Sequence, residues 1–159
     1  MAQKSQIITL GTWENKPVKW IVLKEDTTSY FCVSENVLFY YCFNDNSDKG
    51  SDYSTSDIRK FLNNEFYNDC FNESEKYLIM NHKITGEFSK NVKDYVFLLS
   101  KYEVEQLTND TERIIGRPWY TRTSRDNNFV YANSAISVNF CDWKIRNSCG
   151  IRPAILIRK

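Results

Sequence analysis

Nucleophilic chemistry in this chain has few side chains to draw on: one histidine, His82, and five cysteines, Cys32, Cys42, Cys70, Cys141 and Cys149. Any Ser–His or Cys–His pair would have to use His82. That residue stands in Met80-Asn81-His82-Lys83, near the end of an expected helix, where a cap or surface role suits it better than general-base work. Neither G-x-S-x-G nor S-x-x-K occurs. The five glycines form no Walker sequence and no G-x-G-x-x-G, so a phosphate-cradling loop is not expected. The cysteines include no C-x-x-C pair, which with a single histidine argues against zinc. Asn44, Asn46 and Asp48 alternate as in a calcium loop, but Lys49 occupies the turn position that needs glycine. The twelfth position is Thr55, which cannot supply a bidentate carboxylate. The close carboxylate pairs Glu73/Glu75 and Glu103/Glu105 fall on expected helix faces, where solvation accounts for them. The expectation is a protein that is not an enzyme and carries no metal or cofactor.

Binding chemistry is better supplied. Between Trp119 and Asn147 the chain interleaves aromatic rings, which stack on sugars or bases, with arginines, which match anions, and amides, which both donate and accept. The candidate face comprises Tyr120, Arg122, Arg125, Asn127, Asn128, Tyr131, Trp143 and Arg146, with Trp119 assigned to the core. The competing reading is a core of aromatic strands with turn-forming Asn in the loops.

These residues must be held by a scaffold, and the sequence outlines one. Ile7–Leu10, Trp20–Leu23 and Tyr30–Val33 read as short strands parted by turn-forming stretches. A polar loop spans Asn44–Tyr53. Ser54 or Ser56 then caps a helix with apolar positions Ile58, Phe61, Leu62 and Phe66. Capping boxes at Asn72/Glu75 and Ser100/Glu103 open two short helices. Asp94–Leu99 reads as a buried strand, and Phe129–Ala132, Ile136–Phe140 and Ile151–Ile157 as strands of a C-terminal group joined by polar loops at Ser124–Asn128 and Asp142–Ser148. The order predicts an α+β fold: one domain over residues 1–159, short helices packed on a small antiparallel sheet.

Charge is unevenly spread. Residues 1–111 carry a net −5, whereas residues 112–159 carry nine Lys/Arg against Glu112, Asp126 and Asp142, a net +6. The basic part either faces an anionic partner or complements the acidic part inside the fold. With a total of only +1 and no basic run, nucleic acid is not the expected partner. No apolar run is long enough to span a membrane. The start, Met1–Gln6, leads into too few apolar residues for a signal-peptide core. The odd cysteine count suits reduced thiols, so a cytoplasmic location is expected.

Four stretches, in order, resemble a family of bacterial and phage domains of unknown function. Tyr53-Ser54-Thr55-Ser56-Asp57-Ile58-Arg59-Lys60-Phe61-Leu62-Asn63 is similar to its "tryptophan, two residues, S-x-I-R-x-W-L-N" helix. Asp94–Glu103 matches its D-x-V-F-L-L-S-x-x-E segment. Trp119–Thr123 stands for W-W-L-R-S, and Gly150–Ile155 for G-V-R-P-A-L. Gly11-x-Trp13 and Trp20-x-Val22-Leu23 extend the likeness towards the N-terminus. Tyr53 and Phe61 replace tryptophans, and Thr121 and Thr123 replace Leu and Ser. The ending G-x-R-P-A is also similar to that of C-type-lectin-like domains, including formylglycine-generating enzymes and the variable proteins of diversity-generating retroelements. That resemblance implies a C-type-lectin-like domain with a loop-built binding face. It would work without calcium, because the chain has neither E-P-N, Q-P-D nor W-N-D.

Arg59 and Arg152 are expected to be structural, with Asp94 paired to an arginine, and Arg122 is expected nearer the binding face. The leading functional expectation is a non-enzymatic binding domain of bacterial or phage origin. Its partner would be a host protein, which an intracellular phage protein would inhibit, for instance within a defence system. The alternative is sequestration of a small anionic ligand such as a nucleotide signal by Arg122, Arg125 and Arg146.

Overall fold

The computed structural model describes residues 4–86 and 89–159; Met1–Gln3, where the signal-peptide reading begins, lie outside them. Four helices and three sheets, one sheet curled into a half-barrel, make an α+β single domain among the described residues. The first sheet has the order β1 (Ile7–Trp13), β2 (Lys16–Glu25), β3 (Ser29–Ser34) and β11 (Ala154–Arg158), so both ends of the chain share it. The second runs β4 (Phe39–Tyr41), β10 (Cys149–Ile151), β7 (Trp119–Asp126), β8 (Phe129–Asn133), β9 (Phe140–Lys144). A separate hairpin pairs β5 (His82–Gly86) with β6 (Ser89–Asp94). The expected single antiparallel sheet is therefore three, and β10 runs parallel to β7 through Gly150 and Trp119.

The capping signals behave as their local chemistry requires. Ser56 accepts from the Arg59 amide to open α1 (Asp57–Phe61), which continues through a π-helical stretch (Leu62–Phe66) into Tyr67–Cys70. Both expected capping boxes form: Asn72/Glu75 at α2 (Glu73–Leu78) and Ser100/Glu103 at α3 (Lys101–Leu107). A third, Asn109/Glu112, opens α4 (Asp110–Arg113).

Three expected strands are corrected. Asp94–Leu99 leaves the sheet after Asp94, and only Phe97 bridges, to Ala154. Its backbone is satisfied by side chains instead: Asn63 Oδ1 accepts from the Tyr95 and Val96 amides, and the Tyr53 hydroxyl from the Leu98 amide. Ile136–Phe140 is a loop, and the strand begins at Phe140 and runs into the expected Asp142–Ser148 loop. Ile151–Ile157 is broken at Arg152-Pro153, and its halves belong to different sheets, because proline has no N–H to give a ladder.

The core is aromatic. Trp20, Trp119, Tyr53, Tyr120, Phe43, Phe66, Phe71 and Phe97 are all fully buried. A second aromatic layer, with Trp13 against Phe39, Phe61 and Phe66, fills the space between the first turns of α1 and the strands. The backbone is tightly packed at Gly150, where a Cβ would lie 2.4 Å from the Pro118 carbonyl oxygen.

Candidate functional site

Consecutive residues Trp119, Tyr120, Thr121 and Arg122 are all buried, although a strand ordinarily turns alternate side chains outward. The register of β7 against β8 slips between Tyr120 and Ser124, which breaks the alternation. Two of the expected binding residues thereby become interior. Tyr120 is fully buried and donates from its hydroxyl to the Lys144 carbonyl at 3.1 Å and that of Asn147 at 2.5 Å. Arg122 is 8% exposed. It donates to Glu103 Oε1 at 2.5 Å, to the Leu98 carbonyl at 2.7 Å and to the Thr85 carbonyl at 3.1 Å. Neither lies on a face a ligand could reach without opening the fold.

Arg122 belongs to a wider arrangement that joins the four resembling stretches to one another. Arg59 of the first grips Asp94 of the second with Nε and Nη2 at 2.7–2.9 Å, a charge-assisted fork. Glu103 of the second takes Arg122 of the third. Trp119 of the third lies under the guanidinium of Arg152 of the fourth, 4.7 Å from the ring centroid. Arg152, 1% exposed, donates to the backbone carbonyls of Ser34, Glu112 and Glu35. Burial pulls its guanidinium down to about 10, so it stays charged at neutral pH. Among the described residues no carboxylate reaches it within ion-pair distance.

Both threonine hydroxyls in the third stretch are hydrogen-bonded. Thr121 donates to the Tyr131 carbonyl, and Thr123 accepts from the Lys101 amide.

A family model described as Domain of unknown function (DUF6273) matches residues 19–159, and so contains all four stretches. The chain belongs to the DUF6273 family. No curated protein and no solved structure matches it. Within this DUF6273 domain the four stretches form a continuous interlock, so their first use is architectural.

The remaining expected residues separate into two groups. Arg125 is exposed near the end of β7, Asn127 and Asn128 form the exposed β7–β8 turn, and Arg146 sits on the exposed β9–β10 loop beside it, tied through the Ile145 amide to the Asn128 carbonyl. Arg125 is already neutralised, with Asp126 at 3.1 Å and Asp142 at 3.2 Å. Tyr131 and Trp143 point to opposite faces of the sheet. Tyr131 pairs with Asp142 and Trp143 with Val130, and side chains alternate along both strands. Trp143 packs partly buried against the core, its indole donating to Ser148. Tyr131 lies on the outer face, and there it meets residues that no local pattern groups with it.

That outer face is built from β8, β9, the N-terminus of α3 and the loop at 134–139. Tyr131 and Phe140 meet edge to face at 6.4 Å, and the Lys101 ammonium lies over both rings, 4.9 and 5.4 Å from their centroids. The Arg113 guanidinium also lies over the Phe140 ring, 4.8 Å from its centroid, and holds the loop by donating to Asn133 and to the Val138 carbonyl. Ile136 projects from this loop with 84% of its surface exposed, beside Val138 at 37%. Position 136 looked like strand because it is apolar; only the loop geometry makes it a surface residue.

The surroundings of all five thiols favour the protonated form. Burial pushes the thiols of Cys32, Cys70 and Cys149 up to about 12. Cys42 and Cys141 are also raised, by burial and then by nearby Asp57 and Asp142 respectively. His82 packs against Phe31 and Phe97 at 5.8 and 5.0 Å, and burial holds its imidazole below the ordinary value. It is half-buried rather than the surface residue expected. In the polar loop, Asn44 bridges the Gly50 carbonyl and the Asp57 amide, while Asn46 caps a short turn by accepting from Asp48. Among the described residues no group of three His, Cys, Asp or Glu could hold a metal, and no helix is long and apolar enough to cross a membrane.

Proposed function

We propose that this DUF6273 domain is a non-enzymatic, calcium-independent module that binds a protein through the outer face of β8 and β9. The observation that carries the reading is the Tyr131–Phe140 pair under Lys101, bordered by the exposed Ile136 and Val138. Half-buried aromatic rings beside exposed apolar side chains and a cation are what a protein contact uses as anchors. For a phage-encoded domain the partner would be a host protein. A C-type-lectin-like ancestry belongs to the same proposal, supported by the G-I-R-P-A ending and by loops gathered at one end of the second sheet. Sequestration of a small anion is the weaker reading: Arg122 is paired inside the fold and Arg125 has two carboxylates upon it.

Native mass spectrometry of the gently purified protein after incubation with host lysate tests the choice. A retained protein mass is the expected result. A retained small anionic mass, lost when Arg146 and Arg125 are changed to alanine, would overturn it in favour of sequestration.

A further inference from the structure

β9 is an outer strand of the second sheet, and its hydrogen-bonding parity fixes what its free side offers. The Ile145 amide donates to the Asn128 carbonyl and the Ser134 amide to the Asn139 carbonyl, and both pairs continue the β8–β9 register. In an antiparallel ladder only alternate opposed pairs exchange hydrogen bonds. The bonded positions along this strand are therefore 139, 141, 143 and 145. Phe140 and Asp142, between them, turn N–H and C=O away from β8, and no partner takes these groups among the described residues.

The other outer edges of the two larger sheets are closed or short. β1 slips register between Thr9 and Thr12, and Gly11 there donates to Glu75 Oε2. β11 is bridged by Ile79 and Phe97, and β4 has only three residues. Bulges, covering segments and short strands are the means by which sheets avoid pairing with other chains. β9 shows none of them: it has five residues in unbroken register, and its carboxylate, Asp142, is already paired with Arg125 at 3.2 Å. Phe140, Asp142 and Lys144 share the outer face, and Lys101 and Arg113 both lie over the Phe140 ring. Lys144 is exposed, and among the described residues no carboxylate reaches it within ion-pair distance.

We propose that β9 receives an extended segment of the partner protein as an added antiparallel strand, with an apolar residue opposite Phe140 and an acidic residue four positions earlier, opposite Lys144. The outward backbone groups of Phe140 and Asp142 supply the ladder, the Phe140 ring the apolar contact, and Lys144 the charge. This inference rests on the reading of the β8–β9 face as protein-binding and names the form in which the partner arrives.

A displayed library of linear peptides of about ten residues, selected on the immobilised full chain, tests it, with hydrogen exchange of the ¹⁵N-labelled protein as the readout. The expected result is enrichment of an acidic-x-x-x-apolar pattern. Adding the enriched peptide should slow exchange at the Phe140 and Asp142 amides and leave those of Cys141 and Trp143, already in the ladder, little changed. Asp142→Pro removes one outward N–H without touching a ladder bond and should weaken the peptide about tenfold. Asp142→Ala, which keeps that N–H, should bind as the parent does. Unchanged exchange at Phe140 and Asp142, with a peptide that Tyr131→Ala/Ile136→Asp no longer binds, would overturn the added strand and leave the protein-binding face standing. Protection of both amides by a peptide that the same double variant still binds would uphold the strand and remove the face. Enrichment of no such pattern would overturn the proposal. So would protection of both amides without peptide in a concentration-dependent dimer, which would assign the edge to a second copy of this chain.

Discussion

The interlock of Arg59, Asp94, Glu103, Arg122, Trp119 and Arg152 and the outer face of β8–β9 use the same residue types in opposite ways. In the interlock, Arg122 and Arg152 are buried and Arg59 half-buried, and each guanidinium has fixed partners: a carboxylate for Arg59 and Arg122, three backbone carbonyls and an indole face for Arg152. On the face, Lys101 lies over two rings that remain partly open, and Arg125 is exposed between two carboxylates. Buried, an unpaired charge costs several kcal/mol and geometry must be exact to repay it; exposed, the same charge is screened and contributes little. The recognisable sequence stretches of this family therefore report the framework. The binding face we propose rests mainly on residues outside them, Tyr131, Ile136 and Phe140.

The sharpest way to break this contrast is Arg152→Ala. It leaves three buried carbonyls and one indole face without their partner, and chemical denaturation should record a loss of roughly 3–5 kcal/mol. Arg152→Lys should not restore it, because an ammonium cannot match a planar fork and a stack together. A loss below about 1 kcal/mol would remove Arg152 from the framework. Next in size, Glu103→Gln leaves Arg122 charged and unpaired in the interior, with an expected cost of about 2–4 kcal/mol. In a double-mutant cycle with Arg122→Met the pair should be non-additive, the double variant losing less than the two singles together; additivity would mean that the contact is incidental.

A smaller effect concerns His82. Its folded value lies below the unfolded value near 6.5 because burial disfavours the imidazolium. The unfolded chain thus takes up the proton first, and the stability His82 contributes is complete above about pH 6.5 and falls as pH drops towards the folded value. Melting followed from pH 7.5 down to 5 should show His82→Phe to be less acid-sensitive than the parent; parallel curves would contradict the burial argument. Smallest of all, Arg125→Ala should change stability by no more than about 0.5 kcal/mol, since both of its ion pairs are exposed. A larger loss would erase the distinction between the two regions.

Local signals were legible in the sequence wherever the physics is local. The capping boxes at Asn72/Glu75 and Ser100/Glu103 need only residues three apart, and both form. The structural assignments of Arg59 and Arg152, and an arginine partner for Asp94, also hold, because these charges sit among apolar residues. The α+β class followed from element order. What could not be read was anything decided by non-local register. A slip in β7 after Tyr120 put Arg122 inside rather than on the face. Asn63, far from Tyr95 in sequence, replaced the ladder that a buried strand would have needed. Ile151–Ile157 reads as one strand, but it breaks at Arg152-Pro153, and only the topology shows that the two halves serve different sheets. Of the eight expected face residues, Asn127, Asn128, Arg125 and Arg146 gather at one loop end, Tyr131 lies on the outer face, Trp143 lies on the inner one, and Tyr120 and Arg122 are interior. Lys101, the cation above Tyr131, sits on a helix whose sequence says nothing of its contact with a strand.

The most direct test of the central claim is affinity capture from host lysate with three proteins side by side: the parent, Tyr131→Ala/Ile136→Asp, and Trp143→Ala, each first checked for cooperative melting. If the outer face binds, the first variant loses the partner that the parent retains, while Trp143→Ala, though less stable, still captures it. Capture retained by Tyr131→Ala/Ile136→Asp and lost in a folded Trp143→Ala protein would contradict the account and move the binding surface to the other side of the sheet.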